Sequence, residues 1–336
     1  MVYHHDDVPD HLLIKIEHRD DPVSAVSEQD AAHRSIAYPT IMWSAPTYGF
    51  AAEVAGRWRI GRLDADSPQH ARDGLASHFR RLHSETPETA EHTAERAEYE
   101  RIYELLDWEA IDETIVNGRR YRIIRAQPFI RMGPDGPEPP RPTDPDPYPP
   151  GQRRPYTDRM EGFVIDPAAG TGLTDGLARM EMVSASYRPK SVADDVYADS
   201  RRALRSHPNV VLLPVGYTIG RYVEGSWRPR SSETYPTPQA ARDAGSFAMP
   251  EFVPDEDTTM EDFQAVYQRA RAAHRPPRTD DFEVKGVRCR VTRVETFIRV
   301  GPDGPEGPRP SDPDSHLPPA RLMQEFGDQD EESDQD

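Results

Sequence analysis

One stretch of this chain occurs twice. Residues 129–146 read FIRMGPDGPEPPRPTDPD and residues 297–314 read FIRVGPDGPEGPRPSDPD, at an offset of 168. Over 118–150 against 286–318, 20 of 33 positions are identical, so the match extends beyond the shared phrase. It continues upstream more faintly. Tyr48 aligns with Tyr217, the VAGRWR of 54–59 with the VEGSWR of 223–228, and the SPQHARD of 67–73 with the TPQAARD of 237–243. Val23, Asp30 and Pro39 align with Val192, Asp199 and Pro208. The offset drifts between 164 and 170, each shift falling in a Pro- or Asp-rich stretch where loops absorb insertions. A repeat of this length implies a tandem duplication of one domain-sized unit, each long enough to bury a core. The reading places copy one at 12–150, with a Pro-rich arm at 133–150, and copy two at 181–319, with an arm at 301–319. A flexible terminus (1–11), a joining segment (151–180) and an acidic tail (320–336) complete the chain.

Within one copy the local signals mix strands and helices. Residues 12–16 suggest a short strand, 23–34 a helix and 41–43 the start of a buried strand. Residues 48–55 and 57–60 form a hairpin around Ala55-Gly56. Ser67 caps a helix with Pro68 in its first turn, where a missing N–H costs nothing; Thr237-Pro238 repeats the signal. Tyr99, Ile102, Tyr103 and Leu106 make a helical stripe, matched by Phe263, Val266, Tyr267 and Ala270. Asn117-Gly118 and Lys285-Gly286 turn a final hairpin into a long strand, 119–132 in the first copy. Without strict βαβ alternation the fold class is α+β.

Composition narrows the function classes. Hydrophobic residues are only 35% of the chain and prolines number 35, which implies folded units joined by loop-rich stretches. Net charge is −18, and residues 325–336 hold seven acids and no base, so the tail is expected to be disordered. Nucleic-acid binding, which needs a basic footprint, is disfavoured. Three lysines stand against 38 arginines, a bias that reflects genome composition before function. Cys289 stands alone, without a disulfide framework or a CxxC zinc pair. The N-terminal MVYHHDDVPD has acids where a signal peptide needs bases, and the longest aliphatic run, 210–213, is too short to span a bilayer. A cytoplasmic protein without membrane association is the expectation.

Four features could carry binding chemistry. The GPDGPE of 133–138 and 301–306 is a tight turn, with Pro at the first corner, Asp at the second and Gly after it. The prolines that follow, nine within 137–155, favour an extended arm. The copies agree better in this arm than in their cores, where a passive linker would drift fastest. Either the arm docks, with Arg141 and Arg309 meeting Asp144, Asp312 or acids of a neighbouring sheet, or it presents Arg141, Asp144 and Asp146 (Arg309, Asp312 and Asp314) to a partner. Arg120 and Arg122 point to one side of the long strand and Arg125 and Arg131 to the other. Arg288, Arg290, Arg293 and Arg299 repeat them, as a solvated face or as a guanidinium site for a small anion. Trp58 and Trp227 are core residues or a stacking platform. The candidate ligand-binding residues are thus Arg131, Arg299, Arg141, Arg309, Asp144, Asp312, Trp58 and Trp227. The His4, His5, Asp6, Asp7, Asp10 and His11 cluster lacks a partner cluster, so no metal or other cofactor is assigned. The GTGLTDG of 170–176 misses dinucleotide spacing and is expected to be a loop. There is no GxSxG, P-loop or HExxH and no catalytic residue to name.

The two Pro-rich phrases, the Trp hairpin and the Ser/Thr-Pro-Gln helix start resemble an uncharacterised, two-repeat actinomycete family of the Streptomyces type, a domain of unknown function. Some members carry a PE-PGRS family label, although this chain lacks the long Gly-Ala tracts that label implies. The resemblance implies no activity and no site residues. The reading therefore leans to a non-enzymatic binding or interaction module whose partner is an unknown protein or a small anionic ligand. The alternative is an enzyme of unknown reaction with an Arg/Asp-lined site between the copies. Ligand, pathway and oligomeric state are not written in the sequence.

Overall fold

The computed structural model describes residues 9–17, 22–150, 159–229, 233–245, 261, 264, 268 and 279–325. The first run of elements is α1 (Pro22–Ala37), β1 (Thr40–Trp43), β2 (Thr47–Val54), β3 (Arg57–Ala65), α2 (Pro68–Glu85), α3 (Thr93–Trp108), β4 (Glu113–Val116), β5 (Arg119–Gly133) and β6 (Gly136–Pro137). After β7 (Val164–Ile165) and α4 (Leu173–Val183) comes a second run. It comprises α5 (Asp194–Ser206), β8 (Asn209–Leu212), β9 (Gly216–Val223), β10 (Ser226–Pro229), α6 (Pro238–Gly245), β11 (Asp281–Val284), β12 (Val287–Gly301) and β13 (Gly304–Pro305). The fold is mixed α+β, with one large antiparallel sheet as its frame.

The turn chemistry is as local physics requires. The Ala55-Gly56, Asn117-Gly118, Glu224-Gly225 and Lys285-Gly286 pairs all have positive φ at both residues, the geometry whose twist suits a two-residue hairpin. The Ser67 side chain accepts a hydrogen bond from the His70 N–H, and α2 begins at Pro68. Ala71, Leu75 and Phe79 of α2 recur every fourth residue, and all three are buried. They pack with Ile102 and Leu106 of α3 against Tyr48, Phe50, Tyr121 and Ile123 of the sheet. Full burial of a side chain such as Phe79 is worth about 1.5–3 kcal/mol. A smaller core joins Tyr217, Ile219, Ala241, Cys289 and Val291 on the other side.

The two 15-residue strands form the centre of the sheet. They pair antiparallel, with Gln127 opposite Phe297, Pro128 opposite Thr296 and Phe129 opposite Glu295. Residues 168 apart in the repeated sequence thus exchange places: 127 faces 297 as 129 faces 295. The first stretch of β5 pairs with β2 and β4, and that of β12 with β9 and β11.

The segments after the two long strands cross over. The Arg293 N–H donates to the Glu138 carbonyl, and the Arg125 N–H donates to the Glu306 carbonyl. Each long strand is therefore extended at one edge by backbone from the other half. The turn at Gly304 lies on the Trp58 ring and the turn at Gly136 on Trp227; a Cβ at either glycine would come 2.3 Å from the indole nitrogen.

Two local expectations are corrected. The strand expected at 12–16 is only a bridge of Ile16 to Thr171, preceded by a 3-10 turn at Asp10–Leu12. The segment 170–176 is not simply a loop, because α4 starts at Leu173. The Thr174 N–H donates to Glu28 Oε2 at 2.6 Å, and Ile16 occupies the space that a side chain at Gly176 would need. The acidic run from 326 on, residues 1–8 and all four residues of the second stripe (263, 266, 267 and 270) lie outside the described residues. No helix among the described residues is long and apolar enough to cross a membrane.

Candidate functional site

Side chains alternate along a strand, so the odd-numbered residues of β5 and β12 share one face. Arg125, Gln127, Phe129 and Arg131 lie there beside Arg293, Glu295, Phe297 and Arg299. Phe129 and Phe297 meet at the middle with ring centroids 6.2 Å apart, and Trp43 stands edge-on to each at 6.0 Å. α4 covers this centre, its Met182 fully buried against the two phenylalanines. An ionic cluster lies on each side of the aromatic centre.

The first cluster gathers on Glu295. Its carboxylate is hydrogen-bonded to Arg293, lies 3.4 Å from Arg141 Nη2, and lies 3.5 Å from Arg131 Nε. Oε2 makes no hydrogen bond, although it is buried among guanidinium groups. Arg141 also donates to Glu138 at 2.8 Å, Arg293 lies 3.4 Å from Asp144, and Arg131 donates to Glu181 of α4 at 2.8 Å. Burial alone would raise the Glu295 pKa, but Arg293, Arg131 and Arg141 outweigh it and hold the carboxyl below its ordinary value. The same balance favours charge on Arg131: burial opposes it, and Glu295, Glu181 and Glu138 overcome that.

The second cluster gathers on Gln127, the position 168 residues before Glu295. Arg125 donates to Asp312 at 3.0 Å, both side chains buried. Arg309 donates to Glu306 at 2.7 Å, and its backbone N–H donates to Asp312. Arg299 is different. Its two Nη groups donate to the carbonyls of Met182, Val183, Ala185 and His207, and it meets no carboxylate among the described residues. Burial pulls the Arg299 pKa down to about 10; Glu306 opposes the fall, and Arg309 and Arg125 add to it. The Gln127 amide donates instead to the Ser44 and Pro128 carbonyls. A small cleft, open at its mouth and with an enclosed part little larger than a water molecule, lies here between Arg299, Arg309, Gln127, Trp43, Tyr187 and Ser200.

Six of the sequence-derived candidates therefore come together on one face: Arg131, Arg141 and Asp144 around Glu295, and Arg299, Arg309 and Asp312 around Gln127. The segments after the long strands lie against the sheet, and Arg141 meets a sheet acid, Glu295, as expected, but the closer partners differ from the expectation. The Arg141 and Arg309 side chains take Glu138 and Glu306, while Asp144 and Asp312 accept from their backbone N–H groups. Asp146 and Asp314 reach further, to Arg242 and Arg72, and also accept from the N–H of Gln239 and Gln69 near the starts of α6 and α2. Trp58 and Trp227 are not on this face. Arg120 and Arg122 stack on Trp58, Arg288 and Arg290 stack on Trp227, and the crossing turns cover the indole nitrogens. Arg122 and Arg290 also grip the turns through the carbonyls of Asp303 and Pro305 and of Asp135 and Pro137. The tryptophans are clamps for the crossing turns.

Sequence reasoning missed Gln127, Glu295, Glu138, Glu306, Glu181 and Trp43. The pair 127/295 was visible as a mismatch in the best-matched stretch, a neutral amide against an acid. Among the described residues no group of three or more His, Cys, Asp or Glu is arranged to hold a metal ion.

The profile of a family of unknown function, DUF5954, matches residues 21–315. The chain belongs to that family. The match takes in both long strands, both crossing segments and α4, so the two clusters lie wholly inside the DUF5954 region. No curated protein and no solved structure matches the chain.

Proposed function

We propose that this DUF5954 protein is a non-enzymatic binding module. It is a tandem duplication of one α+β unit whose pseudo-equivalent copies exchange Pro-rich arms and hold a small anion in the cleft of Arg299 and Arg309. The recurrence of element order and the reciprocal 127–297 and 129–295 register support the duplication. The anion reading rests on one observation: Arg299 is 2% exposed and meets no carboxylate among the described residues, while its counterpart Arg131 meets two. A buried guanidinium without a counter-charge is costly, and a ligand that supplies one is bound strongly for its size. Binding is favoured over catalysis because the acids beside the cleft, Glu306 and Asp312, are held by Arg309 and Arg125, and Ser200 Oγ donates to the Tyr197 carbonyl. The cleft thus offers charge without a poised acid–base pair.

Isothermal titration of the intact protein with acetate, benzoate, succinate and inorganic phosphate tests this. One saturable site is expected, weakened by salt and at least tenfold weaker in Arg309→Gln. No saturable binding of any of the four would overturn the reading.

A further inference from the structure

We infer that the ligand is a monocarboxylate, and that Glu295 is its covalently attached counterpart on the other side of the pseudo-twofold axis. This inference rests on the binding reading above and specifies its ligand class.

Three guanidinium groups define each cluster, and the repeat relates them one by one: Arg293 to Arg125, Arg131 to Arg299, and Arg141 to Arg309. On one side all three converge on the Glu295 carboxylate. On the other side the residue at that position is Gln127, whose amide turns away to two backbone carbonyls. The chain thus shows in one cluster what group satisfies the other: a planar group of charge −1 beside Arg299 and Arg309, which line the cleft with Gln127.

Charge gives the same answer independently. Around Glu295, Arg131, Arg141 and Arg293 face Glu138, Asp144 and Glu295, with Glu181 at the rim. Around Gln127, among the described residues, Arg125, Arg299 and Arg309 face only Glu306 and Asp312. The second cluster is one negative charge short, which a monoanion supplies and a dianion would overfill. α4, lying across the axis, sets the difference. It gives Glu181 to Arg131 but only the carbonyls of Met182 and Val183 to Arg299.

Shape narrows the class. The cleft is narrow and one wall is aromatic, from Trp43 and Phe297, with Tyr187 also on the lining. A flat carboxylate head fits between the guanidinium groups more readily than a tetrahedral phosphate, and an apolar body lies against the indole. Benzoate is a suitable probe.

The test is titration calorimetry with benzoate and with inorganic phosphate on four full-length proteins. Wild type should bind one benzoate and prefer it to phosphate. Gln127→Glu places the carboxylate from within and should weaken benzoate at least a hundredfold. Gln127→Met keeps the cleft neutral and should bind benzoate at least tenfold more tightly than Gln127→Glu does. Glu295→Gln opens the first cluster and should raise the stoichiometry from one to two, with a thermal midpoint that benzoate raises more than in wild type. If Glu295→Gln fails to fold, the two Gln127 variants decide. Benzoate binding by Gln127→Glu as tight as wild type would overturn the inference, as would Glu295→Gln with one site of unchanged affinity. Phosphate bound in preference to benzoate would also overturn it while leaving anion binding intact. No anion bound by wild type would overturn both.

Discussion

Around Glu295, three buried guanidinium groups converge on one carboxylate; at the corresponding position Gln127 turns its amide to backbone carbonyls, and Arg125, Arg299 and Arg309 take Asp312, carbonyls and Glu306 in its place. The backbone register is the same on both sides, and on each side one arginine, Arg125 or Arg293, lies against an aspartate of the crossing segment of the opposite half. What differs is one side chain on a central strand and the way α4 lies over the pair. The consequence reaches the protonation equilibria: the Arg131 pKa is raised and its counterpart Arg299 is lowered. Buried charge in this fold is therefore tolerated on two terms. In one cluster it is matched within the chain; in the other it is held by carbonyl dipoles and left open on one side.

The largest effect should come from removing the match. Glu295→Gln leaves three buried guanidinium groups short of a partner and should lower stability by about 5 kcal/mol in denaturant unfolding. Gln127→Met removes only an amide at the corresponding place and should cost under about 2 kcal/mol. Similar losses for the two would break the comparison.

The arm carboxylates should show a smaller asymmetry. Arg125 has Asp312 as its ion-pair partner, both nearly fully buried, so Asp312→Asn should cost about 3–4 kcal/mol. Arg293 keeps Glu295 when Asp144 is lost, so Asp144→Asn should cost about 1–2 kcal/mol. An equal cost would mean that Glu295 does not support Arg293.

The crossing turns, by contrast, should behave alike. Gly136 and Gly304 have φ of 117° and 107°, and a Cβ on either would strike a tryptophan. Alanine at either site should cost about 1–3 kcal/mol, equal within error, by thermal unfolding. Unequal losses would place part of the asymmetry in the turns.

The smallest effect is in pH dependence. His207 lies only at the Gln127 cluster; its counterpart in the repeat is Tyr38. Burial lowers the His207 pKa, Glu306 opposes, and Arg122, Arg299 and Arg309 lower it further. The unfolded chain then takes up its proton first, near pH 6.5, so stability falls as the pH drops below that value towards the folded pKa. His207→Gln should remove this part of the acid loss in unfolding midpoints measured from pH 7.5 to 5. Tyr38→Phe should leave the slope unchanged.

Much of the fold was legible where the signal is local. The Asn-Gly and Lys-Gly turns, the Ser67 cap and the Tyr99–Leu106 stripe each depend on residues within a few positions, and each forms. The strand expected at 12–16 failed because a strand needs a neighbour, and Ile16 finds a single bridge. α4 was hidden by its glycines: Gly176 lies under Ile16, a packing reason invisible without the fold. The arginines of the candidate site were legible from their recurrence, but their partners were not. An internal repeat says which residues are alike, not which meet, and here position 127 meets 297 across the axis. Only that register turns the Gln127/Glu295 mismatch into a difference between two sites.

The crossing of the segments also bears on how the chain is made. Arg122, Arg125 and Arg72 find Asp303, Asp312 and Asp314 at separations of 181, 187 and 242 residues. At a synthesis rate of roughly 5–20 residues per second, the first half waits about 10–40 s for the acids that neutralise it. It cannot close its strand edge or bury those guanidinium groups until the last Pro-rich segment has emerged. Completion of the native state is therefore tied to the synthesis of residues 303–314, and a ribosome stalled near residue 290 would display a half-finished sheet with a positively charged, unpaired edge.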